Sequence, residues 1–200
     1  TFQKYWENFV IRRDKPKTSD AYTPYEWRVV GTFVRLGDKA KAHEVADYFF
    51  RDQRPKAWHQ WAEVVYRDSL KPAFIGDMPH TWVGSDFIRS ALDMFAFERE
   101  ADSSLVIGAG IPEKWVREGE GLSISGLSTH YGTLGFAMHS SGSDIEVTID
   151  GGVRVPSGGV VVRSPSDRRI QQTLLNGDPV ANGPGELVVR ALPAVVTFKY

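Results

Sequence analysis

The sequence predicts an α+β protein in which α-helical hairpins come first and an antiparallel β-sandwich follows. Two observations carry this expectation. Residues 1–100 hold five of the six Trp and four of the nineteen Gly, and residues 101–200 hold the remaining Trp and fifteen Gly. Apolar residues of the first half recur at helical spacing, whereas those of the second half come in short runs or alternation. Such a change of period along a chain marks two packed units. The expected domains are residues 1–100, helical hairpins, and residues 101–200, the sandwich, with a junction near residues 101–104.

The first helix is expected over residues 2–11, from the apolar positions 2, 5, 6, 9 and 10. A polar loop over residues 12–22 follows, with Pro16 inside it. Thr23-Pro24-Tyr25-Glu26 then reads as a helix start. Thr23 accepts a first-turn N–H, Pro24 sits where a missing N–H costs nothing, and Glu26 closes a capping box. Trp27, Val30 and Val34 continue the stripe, Gly37 fits a left-handed stop, and Asp38 caps the next helix, expected to run to about Gln53. So short a connection makes an antiparallel hairpin. A third helix is expected over residues 56–67, with Trp58, Trp61 and Val65 on one face. Residues 69–79 read as a loop, punctuated by Pro72, Gly76 and Pro79. The last helix is expected over residues 82–99. Its stripes Val83/Phe87/Ala91 and Ile88/Leu92/Phe95 cover so wide an arc that burial on more than one side is expected.

The second half reads as strands over residues 105–109, 122–124, 132–138, 145–149, 159–162, 171–175, 186–190 and 194–199. Asp150-Gly151 and Asn176-Gly177 are hairpin dipeptides, and Ile145-Glu146-Val147-Thr148-Ile149 alternates apolar and polar as a half-buried strand does. Strands at such regular spacing suggest a sandwich.

Composition excludes several functions. A net charge of −1 gives no bulk attraction for nucleic acid or for an anionic membrane surface. No apolar run is long enough to span a membrane. The absence of Cys excludes disulfides and thiolate metal sites and suits either a reducing cytoplasm or a periplasm, so the compartment stays open. The five His show no zinc-helix spacing, no carboxylate cluster resembles a calcium loop, and no Gly-rich phosphate loop precedes a helix. No metal or organic cofactor is expected. The Thr1-Phe2-Gln3-Lys4 start, without Met or signal peptide, reads as a piece of a longer chain or a processed one.

Candidate chemistry gathers in residues 58–86, which combine Trp58, His59, Trp61, Glu63, Asp77, His80, Trp82 and Asp86. Aromatic faces stack on the C–H faces of sugar rings, and carboxylates do the acid–base work of breaking a glycosidic bond. Asp77-Met78-Pro79-His80-Thr81-Trp82 places polar groups in a loop that introduces an apolar helix, and loops so placed often line a cleft.

The stretch from Gly76 to Gly84, Met94-Phe95-Ala96, Trp115 and Thr129-His130-Tyr131-Gly132-Thr133-Leu134 resemble the end of the (α/α)6-toroid glycoside hydrolases of the α-L-rhamnosidase-like group. The turn Val155-Pro156-Ser157-Gly158-Gly159 sits in a corresponding place. The resemblance implies the last hairpins of a toroid followed by a C-terminal β-sandwich. It implies hydrolysis of glycosidic bonds in oligo- or polysaccharides, with a carbohydrate substrate and upstream catalytic hairpins of the same parent chain as partners. In that group a helical Trp-Glu pair supplies an active-site carboxylate. Its counterpart here is Trp61-Ala62-Glu63, with one residue inserted. Glu63 is thereby the candidate catalytic residue, and Trp61, Asp77, His80 and Trp82 are candidate substrate contacts. The alternative is a non-catalytic carbohydrate-binding or structural accessory module.

Overall fold

The computed structural model describes residues 1–17, 21–53, 56–66, 76–181, 183 and 185–200. The chain divides into two compact units, Thr1–Leu92 and Asp93–Tyr200.

In the first unit, α1 (Phe2–Asp14) buries Phe9. The two-residue strand β1 (Ala21–Tyr22) leads to a 3-10 turn, Pro24–Glu26, whose Thr23 hydroxyl accepts the Tyr25 N–H. Helix α2 (Trp27–Arg35) ends at Gly37, whose left-handed φ of +79° lets the chain reverse. Asp38 caps α3 (Lys39–Arg51) by accepting the Lys41 N–H. These two helices form the expected hairpin. Around it, Trp27 meets Phe49, Trp61 and Phe87 at ring-centroid distances of 5.4, 5.1 and 4.9 Å, mostly edge to face.

The expected third helix over residues 56–67 does not form. Lys56–Trp58 makes one 3-10 turn, and Val65–Tyr66 is strand β2, paired antiparallel with β1. Trp61 and Val65, whose spacing suggested a helix, are both buried from a non-helical segment that bends at residues 63–64 before entering β2. Of the expected loop 69–79, residues 69–75 lie outside the described residues.

Helix α4 (Thr81–Phe95) stops four residues short of the expected end, and β3 (Ala96–Arg99) follows at once. Val83 is fully buried, but Ile88 and Leu92 are exposed, so burial on more than one side is not observed. The second unit continues with β4 (Ser104–Ile107), the short helix α5 (Glu113–Arg117), β5 (Leu122–Thr129), β6 (Gly132–Ser141) and β7 (Asp144–Ile149). Then come β8 (Val160–Arg163), β9 (Gln172–Leu175), β10 (Asp178–Val180), β11 (Glu186–Val189) and β12 (Ala194–Lys199). One sheet has the order β10-β9-β12-β7-β6-β5 and the other β11-β8-β4-β3. Leu105, Ile107, Val160 and Val162 share one core with Leu134, Phe136, Met138, Ile145, Val147, Ile149, Val196 and Phe198.

The expected fold class, toroid hairpins and then an antiparallel sandwich, is overturned. Five helices and twelve strands in three sheets are present among the described residues, and strands appear in both units. One reason is that β4 pairs parallel with β8, so the smaller sheet is mixed. Both strands are apolar runs buried on both faces, the pattern of parallel pairing. Another is that residues 96–99 bond to β4 in a hairpin instead of extending α4. Among the described residues no helix is long and apolar enough to cross a membrane.

Candidate functional site

The site is built where three segments of the first unit meet. The Thr23 hydroxyl donates to the Glu63 carbonyl at 2.7 Å and fixes the start of α2 to the 61–63 segment. The Glu63 N–H donates to the Asp77 carbonyl at 3.2 Å, and the His80 N–H to the Trp61 carbonyl at 3.3 Å. These bonds lay residues 61–63 alongside residues 77–80. The His80 carbonyl accepts the Gly84 N–H at 3.1 Å, which begins the ladder of α4.

Glu63, Asp77, His80 and Trp82 are thereby brought together, and Tyr25 joins them. Its hydroxyl is hydrogen-bonded to His80 Nε2, while His80 Nδ1 lies 3.7 Å from Asp77 Oδ2. Burial, with the charges of Glu63, Asp86 and Asp77, pushes the Tyr25 phenol above its ordinary pKa, although Arg28 pulls the other way. The phenol therefore stays protonated at neutral pH, and its hydroxyl is paired with His80 Nε2 on one side of the ring while Nδ1 faces Asp77 on the other. Arg28 stacks over the Tyr25 ring at 5.1 Å and binds Asp86 at 2.6 Å.

Trp82 is 70 % exposed, with its ring 6.0 Å from His80 and 6.5 Å from Tyr25. The imidazole is largely covered and the Asp77 carboxylate faces solvent. The cluster thus offers an open aromatic face beside hydrogen-bonding groups of both polarities. Its three carboxylates outnumber the one guanidinium, so it favours developing positive charge over an anion.

Trp61 is placed differently from its expected role. It is 4 % exposed, packed on Trp27 and Phe87, and its indole N–H donates to the Phe49 carbonyl at 3.0 Å. With both faces covered it has none to offer a sugar. Glu63 sits in a bend between the 3-10 turn and β2, not on a helix as the resemblance implies. Tyr25 and Arg28 carried no signal in the sequence, because their partners lie 55 and 58 residues away.

Comparison with protein-family models and with curated proteins gives no match. Function is therefore argued from the site itself.

Proposed function

We propose that this chain is part of a glycoside hydrolase and that Glu63, Asp77, His80, Tyr25 and Trp82 form a sugar subsite in it. The observation that carries the reading is the exposed Trp82 ring standing beside the Tyr25–His80–Asp77 chain and the Glu63 carboxylate. In this reading a sugar ring lies on Trp82, and His80 and Asp77 hold its hydroxyls. Glu63 takes a proton from the water that attacks the anomeric carbon, while the C–O bond to the leaving group breaks. A carboxylic acid elsewhere in the parent protein, upstream of this segment, protonates the leaving oxygen. Excess negative charge at the subsite suits the oxocarbenium-like transition state of such reactions.

The test is Glu63→Gln in the protein that carries this segment, assayed on aryl glycosides. Loss of a general base lowers kcat by about 10²–10⁴-fold. Unchanged activity would remove Glu63 from the mechanism. A second reading, carbohydrate binding without hydrolysis, is favoured by Trp58, which is 58 % exposed and stands next in sequence to the exposed His59. Oligosaccharide binding that Trp82→Ala abolishes, with no turnover by the unmutated protein, would select that reading.

A further inference from the structure

The second unit contains a cleft of about 500 Å³ lined by Glu98, Arg99, Glu100, Ser103, His130 and Tyr131. This size falls within the range of small-molecule sites, about 300–1,000 Å³. One wall is the β3–β4 hairpin and the other is the tip of the β5–β6 hairpin. Both are held by hydrogen bonds. Glu98 Oε1 accepts the His130 N–H at 2.8 Å and ties one wall to the other. The Thr129 hydroxyl donates to the Gly132 carbonyl at 2.7 Å and accepts the Tyr131 N–H at 3.2 Å. The Tyr131 carbonyl accepts the Arg154 N–H at 2.9 Å, and that of Ser103 the Gly158 N–H at 3.0 Å. Ser103 is held in the left-handed region, at φ +52°, which turns the chain at the mouth of the cleft. A ligand would therefore meet formed walls and spend little affinity on ordering them.

The lining chemistry narrows the ligand. Glu98 and Glu100 are acceptors, Arg99 is a donor, the Ser103 hydroxyl does both, and Tyr131 and His130 present rings 5.5 Å apart. That set matches a polyhydroxylated ring, with hydroxyls at its edge and C–H groups on its face. The charge balance then selects among such rings. Arg99 is already bound by Asp102 at 2.7 Å and approached by Glu186 at 3.7 Å, so its charge is matched inside the wall. Glu100, exposed on the wall of the cleft, presents a carboxylate to it, which opposes an anionic ligand.

We propose that this cleft is a second carbohydrate site, one that takes neutral sugars and rejects uronic or sulfated ones. It shares no residue with the subsite around Trp82 and needs no hydrolytic activity.

The test is titration of the 200-residue chain with xylohexaose, cellohexaose and mannohexaose, and with oligogalacturonate of equal length, followed by amide NMR. At least one neutral hexamer is expected to shift the Ser103, His130 and Tyr131 amides, and oligogalacturonate to leave them in place. His130→Ala and Glu100→Ala remove exposed side chains and preserve the fold. Each is expected to weaken this binding by about ten-fold, the loss of one or two charge-assisted or ring contacts. Trp82→Ala is expected to leave it unchanged. The proposal is overturned if no neutral hexamer shifts these amides, if both variants titrate like the parent chain, or if oligogalacturonate binds as well. Shifts confined to Tyr25, His80 and Trp82 would overturn this site and uphold the first one.

Discussion

Glu63 reaches its place because Gly76 has no side chain. A Cβ there would sit 2.5 Å from Glu63 Cβ and 2.6 Å from Oε2, and Gly76 holds a φ of +67° that L-residues adopt at a cost. Gly76→Ala is expected to destabilise the first unit by about 1–2 kcal/mol through the backbone alone, and to push the carboxylate aside. Urea unfolding checks the first effect. An activity loss approaching that of Glu63→Gln checks the second. Glu63, Asp77, His80 and Trp82 could be singled out from the sequence because Glu, Asp, His and Trp near one another are recognisable chemistry. Trp61 shows the limit of that reasoning. A Trp stacks on a sugar or fills a core with equal aptitude, and only its neighbours, here Trp27, Phe50 and Phe87, decide which.

Helix α1 is joined to the start of α2 by a largely buried cluster. Arg12 binds Glu26 through two hydrogen bonds of 2.9 and 2.6 Å, and the Tyr5 hydroxyl donates to Glu26 at 2.7 Å. Burial and the Glu26 charge push the Tyr5 phenol upward. Burial opposes the charge of the Arg12 guanidinium, but the bond to Glu26 and the charges of Glu26, Tyr48 and Tyr5 together raise it. The capping box expected of Glu26 is thus replaced by a pair between elements. Sequence favours the box because Thr23 and Glu26 are three apart, but Arg12 comes within reach only after α1 packs. Glu26→Gln leaves a covered guanidinium without its counter-charge and is expected to cost about 2–3 kcal/mol in chemical denaturation. An unchanged midpoint would show that the cluster contributes nothing net. The β3–β4 hairpin carries a pH-dependent bond of its own. Hydrogen bonds from Arg99 and Ser104 hold the Asp102 carboxyl down at about 2. A depressed folded pKa means support that is present above the ordinary carboxylate value and lost as pH falls through about 2. Asp102→Asn is expected to flatten the acid limb of the stability profile between about pH 4 and pH 2. The effect should be small, about 0.5 kcal/mol, because the group is half exposed and screened.

Each unit has its own core, and the second is dominated by strand residues with no exposed surface. Phe198, on β12 between β7 and β9, is fully buried. Phe198→Ala is expected to destabilise this unit by about 3–5 kcal/mol, read as accelerated amide exchange along β7 and β12. Slow exchange retained there would mean that the core refills the space. The division into a helix-rich first part and a strand-rich second part was determined by the sequence alone. So were the α2–α3 hairpin with its Gly37 stop and the Asn176-Gly177 turn between β9 and β10. Each rests on local period or on backbone freedom that the residue itself carries. Tertiary structure alone decided that residues 61–66 form a bend and strand β2 and not a helix, that residues 96–99 leave the helix for β4, and that β4 runs parallel to β8. It also decided that Tyr25 meets His80 across 55 residues. The physical reason is common to all four. Their partners are distant along the chain, and an extended or helical segment of the same apolar composition becomes distinguishable only once the surface that buries it is in place.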